Sequence, residues 1–388
     1  MKSDIQYPGS EHRSAAAVAA AGTIRIDRME AIVKADAVAY ILFNKNDLEK
    51  QKQFLADFGM HLAAQTADTV YMRGVGTLPY IYAAYDFRQQ KKALGKAARS
   101  GYIGIGFSFN SESDLTALSR ATGMPIETID GPGGGQRVRL HDPDGFIADA
   151  VWGRTPVERF PTQSTLTPIN TPFEKPRINC TVRPVLQPSP VERVGHAVLS
   201  VSNFRKSLDW YMTHFGLIPT DVQCLEDGTP ALSFNRLDRG KEPTDHHSLV
   251  LMQNVAAQYM HSAYETFDLD SVGQGQQYLS AKGWKHHWGI GRHILGSQIF
   301  DYWLDPEGEE VEHYADGDLF DAGYETGYHP LDMGGLWAWG DDVPDMAPKM
   351  TPKQIIAIVK AIRSGNLSGK TLGMIKKAMS TQARPWVK

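Results

Sequence analysis

The chain has 388 residues, 40 Lys and Arg against 44 Asp and Glu, and a formal net charge of −4. That length exceeds one ordinary core and predicts two domains, while the absence of any Lys/Arg block removes the footprint of a nucleic-acid binder. Its 2 cysteines, Cys180 and Cys224, are too few for a disulfide framework or a thiolate zinc cluster, so a reduced, cytoplasmic setting is expected and any metal must rest on His and carboxylates.

Residues 1–33 read as an N-terminal extension. The Ala-rich run from Ala15 to Ala21 is short, lacks bulky apolar residues and is followed by Arg25, Asp27 and Arg28, so it does not read as a signal peptide. No apolar run is long enough to span a bilayer, and no membrane partner is expected.

From residue 39 the segment AYILFNKNDLEKQKQFLADFGM reads as strand, turn and amphipathic helix ending in Phe-Gly. GFSFNSESDLTALSRATGM, from Gly106, repeats that pattern, and HDPDGFIADA, from His141, closes on a tight turn between two strands. Residues 34–155 therefore form one module. Residues 156–190 hold Pro156, Pro161, Pro168, Pro172, Pro176, Pro184, Pro188 and Pro190, a density that blocks helices and central strands and marks a linker.

Past the linker the chain repeats itself. HAVLSVSNFRKSLDWYMTHFGL at 196–217 matches the segment at 39, TFDLDSVGQGQQYLSAKGW from Thr266 matches the one at Gly106, and LDPEGEEVEH from Leu304 matches the one at His141. Residues 191–320 form the second module. Each module contains a β-α-β-β-β pattern twice, so paired βαβββ units forming curved, largely antiparallel sheets in an α+β architecture are expected. Residues 321–388 begin rich in Gly, Asp and Trp and end in two short helical patterns. One starts at Thr351-Pro352 and stops at Ser364-Gly365; the other runs from Ser368 to about Met379. This tail reads as a packing or oligomer-contact extension.

The chemistry is unevenly shared. Of 13 His, the second module holds His196, His214, His246, His247, His261, His286, His287, His293 and His313, against His61 and His141 in the first. Corresponding positions pair His196 with Ala39, His261 with Gly101, and Glu312 with Asp149. Only the second set can make a two-His, one-carboxylate site. A lone strand His is ordinarily a hydrogen-bonded core side chain. Three ligands on three strands, each able to aim inward through side-chain alternation, suit octahedral Fe(II) with three positions left open. Mn(II) suits the same donors.

The run GRHILGSQIFDYWLDPEGEEVEHY, from Gly291, adds His293, Tyr302 and Glu312 on one hairpin. Together with GHAVLSV at Gly195, HHSLVL at His246 and MHSAYETFDLD at Met260, it makes the second module resemble the catalytic domain of type I extradiol ring-cleavage dioxygenases, in the vicinal oxygen chelate superfamily. The first module resembles their metal-free N-terminal domain, and the resemblance covers about residues 34–320.

It implies tandem vicinal oxygen chelate modules with cupped sheets, iron ligands at His196, His261 and Glu312, and a catecholic substrate cleaved with O2. It also implies an acid-base role for His247, fourteen residues before His261, and hydrogen bonding of the bound diol by His293 and Tyr302. Family members commonly form homo-oligomers. His246 competes with His247, but strand alternation would send it to the opposite face. Glu310 shares the face of Glu312 and stays open as an alternative ligand. Members acting on carboxylated catechols often place polar or basic anchors near the ring, where this chain has the apolar Val198.

Overall fold

The structure is a computed structural model describing residues 22–161, 169–183, 186–344 and 352–380. The Ala15–Ala21 run lies outside the described residues.

The first module contributes β1 (Ala37–Lys45), α1 (Leu48–Asp57), β2 (His61–Gln65), β3 (Thr69–Arg73), β4 (Tyr82–Asp86), α2 (Phe87–Leu94), β5 (Gly101–Ser108), α3 (Glu112–Thr122), β6 (Ile126–Thr128), β7 (Gln136–His141) and β8 (Ile147–Trp152). The second repeats the series with β9 (Arg193–Val201), α4 (Phe204–Phe215), β10 (Leu217–Cys224), β11 (Pro230–Leu237), the short β12 (Thr244–Asp245), β13 (Leu249–Gln253), β14 (Gln258–Glu265), α5 (Leu269–Ala281), β15 (Lys285–His293), β16 (Ile299–Leu304) and β17 (Glu310–Ala315). The α+β reading and the doubled βαβββ pattern hold. Among the described residues of 156–190 there is no helix or strand.

Strand order in the first sheet is β2-β3-β4-β1-β5-β8-β7-β6, and the second sheet repeats it as β10-β11-β13-β9-β14-β17-β16-β15. At each centre two antiparallel strands, β1 with β5 and β9 with β14, join the halves, and each also pairs in parallel with the last strand of its own unit. The second sheet is longer at both edges. After β18 (Leu319–Phe320), β19 (Gly327–Pro330) adds beside β10 and β20 (Trp337–Gly340) beside β15. The tail then forms α6 (Pro352–Arg363) and α7 (Gly369–Met379), with Ser368 capping the latter through the Thr371 N–H.

Helix starts follow the sequence signals. Asp47, Ser111, Asn203 and Asp268 each accept a hydrogen bond from a first-turn N–H, satisfying a donor that the helix itself cannot. The helices bury Phe54, Leu55, Leu208, Tyr211 and Met212 against one side of the sheets. There a single core joins Ile41, Phe43 and Phe58 of the first module to Leu199, Tyr264, Trp303 and Val311 of the second. The opposite, concave sides face two separate cups.

The modules grip each other's final turns. Lys45, at the end of β1, is fully buried and pairs with Asp305 and Glu309 in the turn before β17. In the reciprocal place Ser202 N donates to Asp144 Oδ2 over 3.0 Å and Tyr211 OH to Asp142 Oδ2 over 3.1 Å. Removing one member of a buried ion pair strands the other, a loss of about 3–5 kcal/mol. A Lys45→Met variant should therefore unfold at clearly lower denaturant; an unchanged midpoint would show that the turn is held by other contacts.

Candidate metal centre

Register alone builds the site. His196 on β9 is paired with Ala263 on β14, Ala263 with Glu312 on β17, Glu312 with Tyr302 on β16, and Tyr302 with Trp288 on β15. Directly paired residues share a face, so these five side chains form one row across the concave side. His261 lies two residues before Ala263 and so on the same face.

The ligating atoms of His196, His261 and Glu312 all lie within 4.8 Å of one another. His196 Nε2 and His261 Nε2 stand 3.4 and 3.2 Å from Glu312 Oε2. Glu312 is fully buried and neither of its oxygens receives a well-aligned hydrogen bond, an arrangement that is costly unless a cation completes it. Burial opposes its ionisation, yet the two imidazoles hold it well below the usual carboxylate range. Two neutral imidazoles and a carboxylate from three adjacent strands fit a divalent ion with open positions on one side.

Ala263 is the residue that leaves the space. It is fully buried, and its methyl group lies between His196 and Glu312 in the row. Overpacking there costs about 1–3 kcal/mol, so Ala263→Leu should weaken metal binding by roughly tenfold or more while the far-ultraviolet circular dichroism stays native. Wild-type metal affinity in that variant would contradict the row as described.

The first cup shows what closes such a centre. Asp149, the counterpart of Glu312, takes two hydrogen bonds from Arg139 over 2.8 and 2.7 Å and one from Tyr40 OH over 2.9 Å. Gly106 sits where Ala263 does in the pairing, and the Tyr40 ring lies against it. The first cup keeps a cavity of about 390 Å³ beside Tyr71, Tyr80, Arg137 and Arg139, but a carboxylate thus satisfied leaves it no ligand set for a metal among the described residues.

Around the second cup, His247, His293 and Tyr302 line one cavity of about 210 Å³ with His196 and His261. The His247 ring centroid is 4.1 Å from that of His196. Burial, and then the surrounding imidazoles, push His247 well below the ordinary His range, so at neutral pH it is uncharged and able to accept a proton. Burial likewise lowers His293 to about 4. Its Nδ1 sits 2.8 Å from the Leu336 carbonyl and must carry the proton, so Nε2, at 2.9 Å, accepts from Tyr302 OH. Tyr302 stacks on Trp288 at 5.3 Å between centroids.

Glu310 accepts from His287 Nδ1 over 2.7 Å at the cavity edge and is not grouped with the ligating atoms.

Two expectations change. His246 is not opposed to His247: residues 246–248 lie outside regular strand, so alternation does not apply, and the two Nδ1 atoms are 2.9 Å apart. The tail is also more than an outer extension, because Leu331, Met333, Leu336, Val343 and Met379 wall the cavity and Leu336 fixes the His293 tautomer. The only sequence hint of this was the concentration of Gly and Trp just after the second module.

Several histidines are structural. His313 Nε2 donates to the Phe58 carbonyl of the first module over 2.7 Å, with the two rings stacked; His286 pairs with Asp301, and His214 with the Trp210 carbonyl.

Paired βαβββ units cupped around a two-His, one-carboxylate cluster make the fold that of tandem vicinal oxygen chelate modules. A family model of the Glyoxalase/Bleomycin resistance protein/Dioxygenase superfamily matches residues 193–313, the stretch that carries all three ligating residues. Metapyrocatechase 2 of Cupriavidus necator is 27% identical over 303 residues, 77% of this chain and 87% of that protein.

Among solved structures, the Mn(II)-bound glyoxalase from Novosphingobium aromaticivorans superposes with a TM-score of 0.65 at 19% identity, covering 82% of this chain and 95% of that one. The anaerobic complex of homoprotocatechuate 2,3-dioxygenase from Brevibacterium fuscum with 3,4-dihydroxyphenylacetate gives 0.64 at 17%, covering 82% and 94%. The chain is thus similar to members of the glyoxalase, bleomycin resistance protein and dioxygenase superfamily over its second module, and shares their fold over most of its length.

Proposed function

We propose that this protein is a type I extradiol dioxygenase, which opens a catechol-type ring beside its two hydroxyls and places both atoms of O2 in the product, in the breakdown of aromatic compounds. The observation that carries the reading is the convergence of His247, His293 and Tyr302 on the cavity lined by His196 and His261, whose ligating atoms cluster with the Glu312 carboxylate. An isomerase or thiol transferase of this fold has no need of that second set, and a passive aromatic-ligand binder has no need of an open-faced metal. The likeness to metapyrocatechase 2 supports the same reading.

Fe(II), when bound by His196, His261 and Glu312, would supply adjacent open positions for the diol and O2 and carry electron density between them; Mn(II) satisfies the same donors. The chain's own residues do the rest. His247, uncharged and beside the ligating face, takes a proton from a diol hydroxyl and returns it later. Tyr302, its hydroxyl steadied by His293, orients the ring and stabilises oxygen charge as it develops. Trp288, Val198, Phe234, Val250 and Leu331 give the ring an apolar seat that excludes water.

No Lys or Arg lines this cavity among the described residues. A catechol carrying an uncharged, apolar substituent therefore fits better than one carrying a carboxylate, whose burial without a cation is costly. Among the described residues no helix is long and apolar enough to cross a membrane, and both cysteines are free. We place the protein in the cytoplasm, as a homo-oligomer acting on small catechols without nucleic-acid or membrane partners.

The test is O2 uptake with simultaneous visible absorbance, using anaerobically Fe(II)-loaded protein and catechol, 3-methylcatechol, 2,3-dihydroxybiphenyl and carboxylated catechols. Uptake with a yellow product, strongest for the uncharged diols, is expected. Stoichiometric iron without uptake on any diol would point to isomerase chemistry, and neither iron nor uptake to a binding protein.

A further inference from the structure

Behind His247 lies a chain of buried polar groups that the reaction scheme does not use. His246 Nδ1 is 2.9 Å from His247 Nδ1, His246 Nε2 is 2.7 Å from Asp221 Oδ2, and Asp221 Oδ1 is 2.8 Å from His329 Nε2. Asp221 lies on β10 and His329 on β19, a strand from the tail that pairs with β10. His246 is pinned from its backbone as well, since Thr220 Oγ1 donates to its carbonyl over 2.7 Å while Arg236 Nη1 donates to Thr220 Oγ1 over 3.0 Å. Burial opposes charge on Asp221, but hydrogen bonds from His246 and His329 hold it well below the usual carboxylate range.

Donor and acceptor bookkeeping then fixes every proton. An ionised carboxylate only accepts, so His246 and His329 each place an N–H at Nε2. A single proton on His246, held at Nε2 by Asp221, leaves its Nδ1 bare. Among the described residues the partner of that lone pair is His247, whose Nδ1 then donates. The other nitrogen of His247, Nε2, is thereby left bare.

We infer that Asp221, His246 and His329 form a tautomer lock that presents His247 to the cavity as a hydrogen-bond acceptor at Nε2, making Asp221 and His246 positioning residues for the proton transfer. The inference rests on the proposed acid-base role of His247 only for its consequence; the lock itself is a statement about protons. A base that had to change tautomer before accepting would begin each turnover in the wrong form. Outer partners that orient a reactive imidazole in this way are worth about 10- to 100-fold.

The lock can be read without any assay. In protein labelled with ¹⁵N-histidine, with and without Zn(II) as a diamagnetic ion, solid-state ¹⁵N spectra assigned by difference with His247→Asn should show His246 protonated at Nε2 alone and His247 at Nδ1 alone. His247 protonated at Nε2, or His246 protonated on both nitrogens, would overturn the proposal.

Kinetics supply the second arm. His246→Phe removes the acceptor and should lower kcat about 10- to 100-fold with KM and metal content nearly unchanged. His246→Asn, whose side-chain oxygen falls near the position of Nδ1, should recover most of that loss. Equal losses in both variants, or a parallel fall in metal, would reduce His246 to a packing role. Because the spectra do not depend on turnover, failure of the lock and failure of the dioxygenase reading give different results.

Discussion

A Glu312→Gln variant should fold, keep the shape of the site and fail to hold metal. Its carboxylate is the only anion among the ligating atoms, and it is fully buried. In the wild type, Fe(II) at 100 times its dissociation constant should add about 2.7 kcal/mol to stability, seen anaerobically as a rise in melting temperature. In the variant that rise should vanish together with O2 uptake. Without metal the variant should be no less stable than the wild type, because it no longer buries an anion lacking aligned hydrogen bonds. Glu310→Gln is the control: its partner is His287, so iron binding should persist. Loss of metal in Glu310→Gln with retention in Glu312→Gln would reverse the ligand assignment.

His247→Asn should separate chemistry from metal binding. General acid-base catalysis by a positioned imidazole contributes about 10²- to 10⁴-fold, so kcat should fall by that order while iron stoichiometry stays at the wild-type level. His247 touches His196 through its ring alone and is not grouped with the ligating atoms, which is why iron should survive its loss. Metal content and turnover falling together, measured by metal analysis on the same sample, would place His247 among the ligands and remove its proposed role.

The row from His196 to Trp288 was legible because strand alternation and register are simple rules, and because the first module supplies an internal comparison at every position. Sequence matching set Ala39 and Gly101 against His196 and His261, but the register places Tyr40 and Gly104 there. A bulge between Val38 and Tyr40 shifts β1, whereas Asp149 does stand at the position of Glu312. The same rules failed at His246. Two adjacent histidines on a strand must point apart, but residues 246–248 have left the strand, and the pair is drawn together by Asp221, a solitary carboxylate with no motif around it.

The histidine count also overstated the chemistry. His313 follows Glu312 directly and alternation turns it away from the cup, so its partner is a backbone carbonyl 255 residues earlier in the chain. The tail's share in the cavity was hidden for another reason. Leu331, Leu336 and Met379 have no counterpart in the first module, and apolar side chains carry no sign of which cavity they will wall.

The reciprocal grip on the final turns gives the ligand-free module a part in the chemistry of the other. Lys45 holds the turn from which β17 starts, and Phe58 holds His313, the neighbour of Glu312 on that strand. The strand carrying the carboxylate is thus clamped on its outer side by a module that contributes no described residue to the cavity wall. Cutting the chain at its linker to obtain a minimal enzyme would free that strand at the point where ligand geometry is least forgiving. The repeated fold is therefore not redundancy: one module carries the reactive groups, and the other is the jig that keeps them aligned.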